Sequence, residues 1–146
     1  MKILFIRRDN IGDLVCTTPA IRAVRGAFPH ARIGLLVNTY NADALLGNPD
    51  VDNVFVYEKA KHAGGRSFVS TWARNAYLLG TIRAARYDWA IGCGSASPRL
   101  ARYVLMTGAV RRVGFTVGPE EGWFRPYTDA LPEPDGVHRD LQARAG

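Results

Sequence analysis

The sequence predicts an α/β protein built on a doubly wound, parallel sheet. Two observations point there. Short apolar runs of the kind that fill buried parallel strands alternate repeatedly with segments of helical spacing. The connections between them are brief, as strand–helix–strand crossovers in one sheet require.

Each element follows from its own residues. KILFIRR (2–8) is the first strand-type run. GDLVCTTPAIRAVRGAF (12–28) has helical spacing, with Leu14, Val15, Ala20, Ile21, Val24 and Phe28 on a broad apolar face. Pro19 interrupts that pattern and predicts a kink, or a restart capped by Thr18. ARIGLLVN (31–38) reads as a second strand, and YNADALLGNP (40–49) as a short helix stopped by Gly47 and Pro49. DNVFVYE (52–58) is a third strand, and the basic, glycine-rich KAKHAGGRS (59–67) a loop. STWARNAYLLGTIRAARY (70–87) reads as a long amphipathic helix and YDWAIGCG (87–94) as a strand ending in glycines. SPRLARYVLMTG (97–108) is a helix with Pro98 in its first turn, followed by the strand VRRVGFT (110–116). Residues 117–136 are loop-like. VHRDLQARAG (137–146) opens a last helix that stops at the chain end, which suggests a truncated chain with one domain over 1–136.

Bulk properties narrow the function classes. The 146 residues are 47% hydrophobic and 22% charged, ordinary for a folded chain and too apolar for disorder. No run approaches the roughly 18 apolar residues of a membrane span, and no secretion leader precedes the first strand. Cys16 and Cys93 are too few and too far apart for a disulfide scaffold or metal site, so reduced thiols in a cytoplasmic protein are expected. The net charge is +6, and almost all of it is arginine, with lysine only at 2, 59 and 61. Arginine is the better fork for phosphate and carboxylate oxygens. These arginines are scattered rather than striped, and no nucleic-acid recognition motif accompanies them. The expected partners are therefore an anionic small molecule or an acidic membrane surface, not nucleic acid.

In a doubly wound sheet, ligands sit at the carboxyl ends of the strands where strand order reverses. The ends of the first and fourth strands, at 8–13 and 92–97, are the candidates. In RRDNIGD, a helix starting near Gly12 turns its free amides toward that crevice and favours an anion there. Asp13 falls in the first helical turn, where a carboxylate is comfortable whether or not it does chemistry. Arg7 and Arg8 point to opposite faces if the strand persists, so at most one reaches the crevice. In GCGSASPR, Ser95 and Arg99 can meet a sugar hydroxyl or phosphate, while a serine cap with Pro98 explains the same residues structurally. Neither loop carries the three-glycine dinucleotide fingerprint, which argues against an oxidoreductase. His30, His62 and His138 have no metal-ligand spacing, so no metal or other bound cofactor is expected. Trp123 is the one tryptophan outside a core-type segment.

KILFIRRDNIGDLVCTTPAIRAVRGAFPHARIGLLV as a whole resembles the opening of glycosyltransferase family 9, the lipopolysaccharide heptosyltransferases and their relatives. The matching features are Ile6-Arg7, Ile11-Gly12-Asp13, Thr18-Pro19, Arg25 and Phe28-Pro29; looser matches are NPDVDNVFVYE, YDWAIGCGS, RRVGF and His138. The resemblance covers the chain but only the family's N-terminal half. It implies one of two facing Rossmann-like domains in the GT-B arrangement, receiving a lipid-linked saccharide acceptor. The nucleotide-sugar donor, ADP-heptose or similar, then binds a C-terminal domain that this chain lacks, and the fragment alone does not turn over. The implied transfer is inverting and metal-independent, at the cytoplasmic face of the inner membrane. Asp13 is the implied general base, Gly12 allows close approach, and Arg7, Arg8, Ser95 and Arg99 are acceptor contacts. Many relatives carry an acidic residue after the fourth strand, where this chain has Gly92-Cys93-Gly94-Ser95. The alternative is a non-catalytic Rossmann-like module that binds an anionic sugar or nucleotide.

Overall fold

The computed structural model describes residues 1–45, 47–58, 68–116 and 125–132. Loop 59–67 with His62, Trp123, His138 and the expected last helix lie outside the described residues.

Six parallel strands form one sheet in the order β3-β2-β1-β4-β5-β6. They are β1 (Lys2–Ile6), β2 (Arg32–Asn38), β3 (Asn53–Tyr57), β4 (Trp89–Gly92), β5 (Arg111–Thr116) and β6 (Asp129–Pro132). Among the described residues, three α-helices lie between them: α1 (Ile11–Ala27), α2 (Phe68–Ala84) and α3 (Pro98–Met106). The order reverses between β1 and β4, which pair directly from Ile3↔Trp89 to Ile6↔Gly92. The ligand crevice of such a sheet therefore lies where the sequence places it, above the ends of these two strands.

The central strands are apolar on both faces because both faces are covered. Ile3 through Ile6 and Ile33 through Val37 are all buried. One core lies under α1, where Leu14 and Ile21 pack on Phe5, Leu35 and Val37. The other lies under α2 and α3, where Ile82, Leu100 and Val104 pack on Leu4, Ile6 and Leu36. Each fully buried leucine or isoleucine of this kind contributes about 1.5–3 kcal/mol.

Four details depart from the sequence reading. Helix α1 passes through Pro19 without a restart, and Thr18 is not its cap. Pro19 lacks the N–H that Val15 O would accept, and the Thr18 hydroxyl donates to that same carbonyl at 2.7 Å. The segment expected as a helix over 40–49 holds only a 3₁₀ turn, Ala42–Leu45, ended by Gly47 at φ +81°. Helix α2 ends at Ala84, short of the expected 87, and Arg86 takes a left-handed φ of 51° before β4. The loop expected over 117–136 contains β6. Its residues lack strand alternation because it is a mostly exposed edge strand, where Pro132 at the terminus costs no ladder bond. Arg111 clamps it to β5 through both carboxylate oxygens of Asp129, at 2.9 and 3.1 Å. The Thr128 hydroxyl and Arg111 together hold the Asp129 carboxyl below the ordinary range.

On the other side of the sheet, Arg25 ties α1 to the strands. It donates to the Ala31 and Asp50 carbonyls and to Asp52 Oδ2 at 2.7 Å. Burial pushes the Asp52 carboxyl up, but the Ile33 amide and Arg25 outweigh it and hold the group below its usual range.

Candidate active site at the strand-order reversal

The β1–α1 loop begins where β1 ends. Arg7 still donates its amide to Leu36 O at 2.9 Å, and the chain then turns through Arg8, Asp9 and Asn10 into α1. Two asparagines at the end of β2 hold that turn. Asn38 and Asn41 are fully buried. Asn38 Nδ2 donates to Arg8 O at 2.7 Å and Asp9 O at 3.1 Å, and Asn41 Nδ2 to Asp9 O at 3.0 Å. Their own Oδ1 atoms accept from the Tyr40, Asn41 and Asn38 amides. Sequence reasoning missed both; the only signal was Asn-Thr-Tyr-Asn closing an apolar strand.

Asp13 stands in the first turn of α1, half-exposed, with Oδ1 3.2 Å from Arg7 Nη2. Arg7 is only 14% exposed and also approaches Asp9, at 3.7 Å. Asn10 is the N-cap residue of α1, but its side chain makes no capping bond. The first-turn amides, which no helix can pair internally, thus keep no side-chain cap from Asn10.

The opposite wall is the β4–α3 loop. Gly94 adopts φ +150°, a region nearly closed to other residues. A Cβ there would lie 3.0 Å from Asp9 Oδ2 and 3.2 Å from Arg7 Nη1. The two loops therefore approach through this glycine, to which the sequence reading gave no role in their contact. Gly12 is different: a Cβ on it would meet nothing within 4 Å, so the protein's own packing does not demand a glycine there. Ser97 caps α3 by accepting from the Leu100 amide at 3.2 Å, and Pro98 follows in the first turn. Ser95 makes no such cap and stays exposed toward the crevice.

A cavity of about 460 Å³ results, bordered by Arg7, Arg8, Asp9, Asn10, Asp13, Ser95 and Arg99. Both arginines of the loop reach it, contrary to the expectation that alternation would send them apart. β1 stops at Ile6, so strand alternation no longer governs them. Arg8 lies over two rings, 3.8 Å from the centroid of Tyr103 and 4.8 Å from that of Tyr57. The rings meet edge-on at 5.1 Å. Burial, then the hydrogen bond with Tyr57, pushes the Tyr103 hydroxyl far above its ordinary range, so it stays protonated beside this cation. Cys93, behind the cavity, has its thiol pushed up to about 11 by burial, against the pull of Arg7. It is no thiolate nucleophile at neutral pH. Three arginines face two aspartates, and two helices open toward the same space, so the cavity suits a ligand with hydroxyls and negative charge.

No protein-family model matches the chain, and no curated protein sequence does. Solved structures do match. An E. coli heptosyltransferase WaaC bound to ADP-2-deoxy-2-fluoro heptose superposes with a TM-score of 0.67 at 16% identity, over 99% of this chain and 46% of that one. A glycosyl transferase family 9 structure from Veillonella parvula gives 0.63 at 21% identity, over 79% of this chain and 31% of that one. This chain has the fold of the family 9 glycosyltransferases. An E. coli ADP-heptose lipopolysaccharide heptosyltransferase II adds a third match, 0.60 at 22% identity, over 79% and 30%. The chain thus spans less than half the length of each of these neighbours, and its sheet corresponds to one Rossmann-like unit of the GT-B fold.

Proposed function

We propose that this chain is the acceptor-side half of an inverting, metal-independent glycosyltransferase of lipopolysaccharide or related surface-glycan synthesis. The observation that carries the reading is the ion-paired Asp13 carboxylate at the uncapped start of α1, on the crevice edge of a heptosyltransferase fold.

In this reading a lipid-linked saccharide lies in the cavity with one hydroxyl against Asp13. Asp13 takes the hydroxyl proton as the oxygen attacks the anomeric carbon of the donor sugar. The bond from that carbon to the nucleoside diphosphate breaks, and the leaving group departs with the electron pair on the opposite side. Arg7 orients Asp13 through their ion pair, Gly12 leaves room for the sugar ring, and Ser95 meets a hydroxyl. Arg8 and Arg99 meet negative charge on the acceptor. The donor, ADP-heptose or a similar nucleotide-sugar, binds a second domain that faces this crevice, and the complete enzyme works at the cytoplasmic face of the inner membrane. The greater length of the solved neighbours supports the two-domain reading.

The test is Asp13→Asn in the complete enzyme, assayed for sugar transfer from ADP-heptose to a lipid-linked acceptor. Loss of a general base lowers kcat by about 10²–10⁴-fold, with acceptor KM changed far less. Turnover within about twofold of wild type would remove Asp13 from the mechanism.

A further inference from the structure

Helix α2 presents apolar residues on two sides. Ile82 and Leu78 pack into the core beneath the helix. On the outer side, Val69 is 71% exposed, Trp72 66% and Tyr77 80%, at spacings that place them along one stripe with Ala73 and Ala76. These large apolar side chains have no covering partner within the described residues. Between α2 and α3 the stripe borders a groove of about 310 Å³, lined by Trp72, Leu79, Tyr103, Met106, Arg99 and Arg102.

The charge on this face is one-sided. Neither α2 nor α3 contains a single acidic residue, and Asp88 is the only acid from residue 59 to 119. Asp88, itself exposed, already accepts from the Lys2 amide at 2.7 Å. Of the arginines on α2 and α3, Arg74 meets Glu58 at 3.6 Å. Arg99 and Arg102 have no acidic partner among the described residues. A second copy of this face would bring like charges together. An exposed indole and phenol with unpaired guanidinium groups beside them match the boundary of a bilayer, where rings enter the headgroup layer and cations meet lipid phosphates.

We infer that the α2–α3 face docks on a bilayer surface rich in anionic lipids, with Trp72 and Tyr77 entering the headgroup layer and Arg102 meeting lipid phosphate. The inference builds on the lipid-linked acceptor proposed above: Arg99 borders both this groove and the crevice, so the docked face presents the crevice alongside the bilayer.

The experiment is flotation of the purified protein with vesicles of phosphatidylcholine alone, or with phosphatidylglycerol added, at physiological salt. The protein is expected to float with the anionic vesicles and not with the neutral ones. Trp72→Ser with Tyr77→Ser lowers the partition constant roughly tenfold. Arg102→Glu lowers it by at least about fivefold, as the loss of one cation near such a surface requires. These side chains are exposed, and an unchanged far-ultraviolet spectrum and melting curve confirm the fold. Equal flotation with neutral vesicles, or variants that float like wild type, overturns the inference. So does a variant that changes only the sedimentation mass, which would make the face a protein–protein interface. The vesicles carry no acceptor sugar, so the result stands apart from the catalytic reading. If the vesicle variants respond while Asp13→Asn keeps full transfer activity, the surface holds and the mechanism falls. If Asp13→Asn loses transfer and the vesicle variants do not respond, the reverse follows.

Discussion

Two helix N-termini open on the same crevice, and they are finished in opposite ways. Helix α3 is closed by its own residues: Ser97 caps the Leu100 amide and Pro98 occupies the first turn. Helix α1 starts at Asn10 with no side-chain cap, and the loop before it is held by Asn38 and Asn41 from β2. A helix start that serves only folding is cheapest to cap locally. At α1, the loop backbone is instead fixed from behind by buried side chains. The amides and the Asp13 carboxylate in front remain available to a ligand. The difference separates a structural terminus from one arranged for binding.

That distinction can be broken most forcefully at Asn38. The side chain, itself fully buried, donates to two loop carbonyls and accepts from the Tyr40 and Asn41 amides in bonds that are buried or part-buried. Asn38→Ala leaves several buried or part-buried groups unsatisfied, each costing up to about 1–3 kcal/mol less whatever water restores. The expected loss is about 3 kcal/mol in urea unfolding, with the Arg7–Asp13 geometry and any transfer activity lost alongside. A loss under about 0.5 kcal/mol would mean that the loop holds itself and that the contrast with α3 is not real.

The asymmetry also explains what the sequence could reveal. The doubly wound sheet was legible because β1 and β2 are continuous apolar runs and each crossover helix shows its own period. The crevice position followed from that topology, with Asp13, Arg7, Ser95 and Arg99 all reaching it. The Ser97-Pro98 start of α3 was legible because a cap and its helix are adjacent in the chain. Asn38 and Asn41 were not, because they act on carbonyls about 30 residues earlier and resemble ordinary turn formers. The placement of Arg8 was not legible for the same reason. Its direction depends on Tyr57 and Tyr103, which only the folded sheet brings together. β6 was missed because an exposed edge strand needs no apolar alternation.

A second, smaller effect tests where the two loops touch. Gly94→Ala must place a Cβ against the Asp9 carboxylate and Arg7, at a φ of +150°. Strain in this region costs about 1–3 kcal/mol, so destabilisation near 2 kcal/mol is expected. The relevant companion measurement is acceptor KM, which should rise as Arg7 is displaced. Unchanged stability and KM would show that the β4–α3 loop yields freely and that its contact with Asp9 does not shape the cavity.

The smallest effects discriminate most directly between the two termini. Ser97→Ala removes a cap that is made, and about 1 kcal/mol of stability should go with it. Asn10→Ala removes a residue of the preferred capping type that makes no cap bond, so the change should stay within about 0.3 kcal/mol. By side-chain preference alone the two substitutions would cost the same, since asparagine and serine rank together at this position. The difference between them therefore measures geometry, not propensity. If Asn10→Ala costs as much as Ser97→Ala, Asn10 caps α1 in solution, and the first-turn amides are already partly satisfied before any ligand arrives. The positive end of α1 would then offer an acceptor less than its position suggests, and Arg7 with Arg8 would have to carry the recognition of negative charge.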